Sequence, residues 1–225
     1  MASAAVPALS PAWLALAIGL LPIAIVHLCY AISVNAGHVP LCLPYLEGCT
    51  SISRAARHGM ANHVFKAAML PIAGLMLVYW SVAAQWLRAQ TASRRKRIAA
   101  MQTLGVIGAL FLMLYATFLG VDGDLYRWLR RYGVTVYFSF TVLAQMLLAS
   151  VLDRGLLRKT LIALCAAMLL MGLASIPLQH LLADKDVVLN ALEWAYALLM
   201  SLAFAAVGVA WMRRRVRLNF TAPNV

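Results

Sequence analysis

Along the chain, long apolar runs alternate with short polar interruptions. Six runs hold about 20 predominantly apolar residues, the length that spans a bilayer, at roughly 12–33, 67–87, 98–121, 133–152, 160–182 and 188–212. No stretch between them is biased to Gly, Ser or Pro and no segment repeats, so neither a linker nor a repeat array divides the chain. The pattern predicts an all-α polytopic membrane protein, one domain over residues 1–225 with six transmembrane helices and its longest polar interruption at 34–66. The first run is too long for a signal-peptide core and no basic residue precedes it, so it is read as a retained helix.

Composition agrees with a lipid solvent: 64% of residues are apolar and 12% charged, whereas soluble domains are about half apolar and a quarter charged. The formal net charge of +12 raises nucleic acid as a partner, but the basic residues flank apolar runs instead of forming a soluble patch, which argues against it. Their placement gives a topology instead. Arg88, Arg94, Arg95, Lys96, Arg97, Arg154, Arg158, Lys159, Arg213, Arg214, Arg215 and Arg217 fall on one side. The other side has Arg54, Arg57, Lys66, Arg127, Arg130, Arg131 and Lys185, diluted by Glu47, Asp122, Asp124, Asp184 and Asp186. The positive-inside rule then expects both termini in the cytoplasm and the 34–66 loop outside. The clusters would also attract anionic headgroups by about 1 kcal/mol per residue, although a topology signal needs no ligand.

The segment Gly37 to Ser53, GHVPLCLPYLEGCTSIS, stands out against this background. It contains Cys42 and Cys49, whereas Cys29 and Cys165 lie inside apolar runs as core or lipid-facing filler. Outside the cytoplasm thiols oxidise. A Cys42–Cys49 disulfide would close a loop of about eight residues, removing roughly 2.5 kcal/mol of chain entropy from the disordered state; two free thiols or a metal pair are the alternatives. A loop of ~30 residues without periodicity is uncommon unless it has a task. This one carries the hydroxyls of Thr50, Ser51 and Ser53, the cations of Arg54, Arg57 and Lys66, the imidazoles of His38, His58 and His63, and the amide of Asn62. Such a mixture at headgroup level suits phosphate or sugar phosphate. An ordinary solvated loop with interfacial Arg and His would have the same composition.

An acid within a spanning helix costs at least ~2.5 kcal/mol on insertion scales and is a functional candidate by default. Glu193 is that acid. Its face reads Asn190, Glu193, Ala197, Ser201, Ala205 and Gly208, small or polar residues at helical spacing that should meet other helices. His27 lies about four residues, or ~6 Å of rise, from the outer end of the first run, at a depth comparable to Glu193. Glu193 and His27 could therefore form a general acid/base pair, a structural hydrogen-bonded pair, or two groups each satisfied by backbone. Other features look architectural. Cys165, Met168, Gly172, Ser175 and Gln179 align on the fifth helix, and Gly105 with Ala109 gives the third a small-residue contact. Trp13, Trp80, Trp86, Trp128, Trp194 and Trp211 fall near run ends, as interfacial anchors do. No Walker loop, dinucleotide fingerprint, paired CxxC or HExxH occurs, and His58 and His63 do not share a helical face, so no metal or cofactor is expected.

The six runs, LPYLEGCTSIS in the first outer loop, and a second helix entered through Phe65 and Lys66 together resemble the Frag/DRAM/Sfk family. That family contains proteins that remodel the lipid of GPI anchors and the amino-terminal part of the yeast Cwh protein. Its loop proline and short Ser motif match Pro44 and Ser51, Ile52 and Ser53. Its short loop between the third and fourth helices matches YATFLGVDGDLYRWLRRYGVTVYFSF, and the Glu-aromatic pair opening its last helix matches Glu193 and Trp194. The resemblance covers about residues 12–212. Many members have a Pro-Glu after the Ser motif where this chain reads HGMANHVF, and an acidic-aromatic pair after the last helix where it reads WMRRR. The Ala-, Leu- and Arg-rich composition points to a bacterium, hence to an inner-membrane protein with a periplasmic 34–66 loop and a lipid other than a GPI anchor.

The resemblance implies acyl-chain remodelling, by transfer or hydrolysis, of a glycolipid or phospholipid in the outer leaflet. Glu193 and His27 would serve as acid/base groups and Ser51 or Ser53 as nucleophile or positioning hydroxyl. Arg54, Arg57, His58, His63, Asn190 and Trp194 would bind the substrate. The alternative is a non-catalytic protein that binds or organises lipids or assists a partner. A transporter is less well supported, since Pro22, Pro71 and Pro177 do not mark a matched pair of broken helices.

Overall fold

A computed structural model describes residues 10–217 except 92, 182 and 183. All six expected spans are present as helices long and apolar enough to cross a membrane, and the chain is an integral membrane protein. They are α1 (Ala12–Asn35), α4 (Gly59–Gln90), α5 (Arg95–Phe118), α6 (Asp124–Val151), α7 (Leu156–Leu181) and α8 (Lys185–Arg213); two short helices, α2 (Pro44–Glu47) and α3 (Ile52–Ala55), lie between α1 and α4. No strand occurs among the described residues.

The helices form a closed ring in chain order: α1 packs on α4, α4 on α5, and so through α6, α7 and α8 back to α1. Short side chains set the seam between α1 and α8. A Cβ on Gly19 would sit 2.7 Å from the Ala205 backbone nitrogen, and one on Gly208 would sit 2.8 Å from Leu16, so the α8 stripe of Ser201, Ala205 and Gly208 lies on α1 as its spacing predicts. Gly105 likewise leaves room for the Trp80 indole against α5.

Two expectations about packing are corrected. Trp80, Trp194 and Trp211 are fully buried, not interfacial, whereas Trp13 and Trp128 are exposed; the small residues on facing helices make room for indoles inside the ring. On α7, Cys165 and Met168 are buried, but Gly172 has nothing within 4 Å of a would-be Cβ, so the predicted close contact ends there. Gln179, expected on the same face, has its side chain outside the described residues. Only 17% of the α7 window is buried, against 50% for α4. The upper half of α7 is therefore the open stave of the ring.

The polar interruption is shorter than 34–66. α4 begins at Gly59, so Asn62, His63, Phe65 and Lys66 sit in its first turns, where polar side chains hid the helix from a hydropathy reading. What remains, residues 36–58, is bridged by the Cys42–Cys49 disulfide. Pro44 opens α2, the Glu47 carboxylate accepts the Leu43 N–H at 2.7 Å, and Gly48 ends the helix with a φ of 56°. Ser51 then caps α3 by accepting the Arg54 N–H at 3.1 Å.

Candidate functional site

Residues 48–56 fold inward and close one end of the ring. Side chains from α1, α4 and α8 hold this plug in place. From α8, the Asn190 amide donates to the Gly48 carbonyl at 2.8 Å and the Trp194 indole to the Thr50 carbonyl at 2.9 Å. From α1, the Ser33 hydroxyl donates to the Ala55 carbonyl at 2.5 Å. From α4, the Asn62 amide donates to the carbonyls of Ala56 and, on the strand of chain after α5, Leu119, at 3.1 and 3.0 Å.

At the centre of the plug, Glu193 Oε1 accepts both the Ser53 N–H and the Ser53 hydroxyl, each at 3.1 Å. The Tyr115 hydroxyl lies 2.9 Å from Ser53 Oγ. A serine hydroxyl has one proton. With that proton donated to the carboxylate, the Tyr115 O–H donates to Ser53 Oγ, giving a directed chain from Tyr115 through Ser53 to Glu193.

Three voids meet at this chain. A mostly apolar cavity of about 40 Å³ lies below the plug in the middle of the ring, lined by Glu193, Tyr115, Phe65, Leu112, Tyr137 and Ser201 among others. A groove of about 600 Å³ runs down between α6, α7 and α8; Val134, Phe138, Gly172, Ser175 and Tyr196 line it, and Ser53 and Glu193 stand at its head. A third void of about 250 Å³ also reaches Ser53 and is lined by Arg57, Arg127, Arg130 and Arg131 with Tyr115 and Leu119.

Glu193 and His27 do not pair. His27 Nδ1 meets the Ile23 carbonyl at 2.7 Å and Nε2 meets the Tyr45 hydroxyl at 3.3 Å. A carbonyl only accepts, so Nδ1 carries the proton and Nε2 accepts from Tyr45 in the neutral ring. His27 instead packs in an aromatic group with Tyr45 and Trp194, at centroid distances of 5.8 and 5.3 Å. Burial beside these rings pushes the Tyr45 phenol above its ordinary pKa.

The other expected site residues separate into two groups. Ser53, Glu193 and Arg57 come together. Ser51, expected as a nucleophile or positioning hydroxyl, is a buried helix cap, and Asn190 and Trp194, expected to bind substrate, are buried pins of the plug. Arg54 is exposed and lines none of the three voids. His58 and His63 are exposed as well, His58 lying tilted beside His38 at 5.5 Å, and neither lines the voids. Sequence reasoning missed Tyr115 and the arginines of α6. Tyr115 carried no signal within an apolar run, and Arg127, Arg130 and Arg131 were read only as charges that set topology.

No family model, curated protein or solved structure matches the chain.

Proposed function

We propose that this protein handles membrane lipids, taking an acyl chain laterally from the bilayer into the α6–α8 groove so that its ester lies at Ser53. The observation that carries the reading is the placement of a hydroxyl, 3.1 Å from a carboxylate, at the head of a 600 Å³ apolar groove. Lipid-facing grooves of this kind suit an acyl chain, and a polar pair at the end suits its ester. The proposal includes the orientation given by the basic residues, with the plug on the periplasmic side of a bacterial inner membrane and both termini in the cytoplasm. It also includes kinship with the Frag/DRAM/Sfk family, on the ordered motifs described above.

In the catalytic form of the reading, Glu193 takes the Ser53 proton as Oγ attacks the acyl carbonyl carbon. The Tyr115 O–H, hydrogen-bonded to Ser53 Oγ at 2.9 Å, orients the hydroxyl so that its proton points at Glu193. The C–O bond to the lipid breaks, the leaving alkoxide takes the proton from Glu193, and the acyl group remains esterified to Ser53. Water or a second lipid hydroxyl then accepts the acyl group and regenerates Ser53. Release of labelled fatty acid or lysolipid from micellar phospholipid tests this: Ser53→Ala should abolish it, and turnover equal to the parent would remove the covalent step.

A non-catalytic reading has its own support. Glu193 also accepts the Ser53 backbone N–H, so the same carboxylate pins the plug. On that reading the groove holds or presents lipid without changing it, and bound lipid is recovered intact.

A further inference from the structure

We infer that the lipid handled here has a phosphate-bearing head, held in the arginine-lined basin beside Ser53. The inference rests on the proposed function and specifies its substrate class. Arg57 follows the plug, while Arg127, Arg130 and Arg131 come from the first turns of α6; all four line one void of about 250 Å³ that no carboxylate lines. Arg127 has an exposed ion pair with Asp124 at 3.3 Å, and Arg57, Arg130 and Arg131 have none among the described residues. Arg130 is partly engaged, donating to the carbonyls of Phe118 and Val121. The Arg57 Nε is buried with no hydrogen-bond partner.

Gathering like charges at one place costs free energy, and leaving a guanidinium N–H buried and unbonded costs more. An anion with several acceptor oxygens relieves both. Guanidinium forks match phosphate geometry, which a site for an uncharged hydroxylated head would not require. The basin's place beside the groove favours a lipid phosphate over a soluble one. It shares Ser53 and Val134 with the apolar groove, so one amphiphile can lodge its phosphate among the arginines, its ester at Ser53 and its chain along α7.

The test uses the full-length protein in neutral detergent, with occupancy read by native mass spectrometry. Three probes are titrated: dioleoyl phosphatidylglycerol; diolein, with the same chains and no phosphate; and glycerol 3-phosphate, with the phosphate and no chains. Phosphatidylglycerol should bind roughly tenfold or more tightly than diolein, as expected for charge-assisted bonds. Arg57→Gln, and separately the double change Arg127→Gln with Arg131→Gln, should bring phosphatidylglycerol to the diolein level and leave diolein binding as it was. Arg127 and Arg131 are exposed, so the double variant keeps the fold even if Arg57→Gln does not. The pair Arg95→Gln and Arg97→Gln, at the other end of the ring, should change nothing. Equal binding of the two lipids, or indifference to the basin changes, would overturn the phosphate assignment and leave the groove reading standing. Binding of neither lipid would remove both. Displacement of phosphatidylglycerol by an equal concentration of glycerol 3-phosphate would keep the phosphate basin and remove the lipid as its source.

Discussion

Glu193→Gln separates chemistry from architecture. The glutamine amide oxygen is placed like Oε1 and still accepts the Ser53 N–H and O–H that reach Glu193 at 3.1 Å, so the plug keeps its fastening. The two bonds become neutral, a loss of about 1 kcal/mol each given that charged hydrogen bonds are roughly twice as strong as neutral ones. Against that loss stands the relief of no longer holding a carboxylate in an oily bundle, at least ~2.5 kcal/mol on insertion scales. The sum is close to zero or stabilising, and the melting temperature should stay within a few degrees of the parent or rise, since ~1 kcal/mol is worth about 2–4 °C in a chain of this size. An amide cannot take a proton from Ser53, so acyl release should fall by about 10²–10⁴-fold, the usual contribution of a general base. The assays are thermal unfolding in detergent and fatty-acid release from micellar phospholipid, on the same preparation. Retained turnover with an unchanged melting temperature would refute the base role outright. A large fall in melting temperature would instead show that the energetic comparison, and with it the structural tolerance for a neutral acceptor, is wrong.

Two further outcomes are expected. Gly48 has a φ of 56°, and a Cβ there would run into the Val187 carbonyl, whose carbon would be 2.6 Å away; Gly48→Ala should cost more than ~2 kcal/mol, from left-handed backbone strain plus displacement of the α8 end, and an unchanged thermal midpoint would contradict the close packing. For topology, a membrane-impermeant amine reagent added to spheroplasts should modify exposed Lys185 and spare exposed Lys96, and the reverse pattern would turn the whole arrangement over.

The six spans were legible because hydropathy over ~20 residues is a strong signal in lipid. Glu193 was legible for the same reason inverted: an acid in such a run is costly enough to mark itself. Its partner was not. Depth arithmetic placed His27 level with Glu193, but depth says nothing about azimuth, and His27 turns to Ile23 and Tyr45 while a loop serine enters from above. That entry depends on contacts from α1, α4 and α8 that no local pattern encodes. The α6 arginines were visible as charges and invisible as a basin, because convergence with Arg57 arises only when α6 stands next to the plug. On α7, small residues that ordinarily signal tight packing line an open groove instead, since no facing ridge reaches Gly172.

The fastening of residues 48–53 by Asn190, Glu193 and Trp194 joins positions 140 to 144 residues apart in the chain. During synthesis the plug emerges early and its anchors emerge last, so the Ser53 centre cannot exist until the final helix has been inserted. A ribosome-bound intermediate with five helices in the bilayer therefore lacks the contacts that seat residues 48–53. The order of synthesis thus makes closure of the mouth wait for α8 to complete the ring.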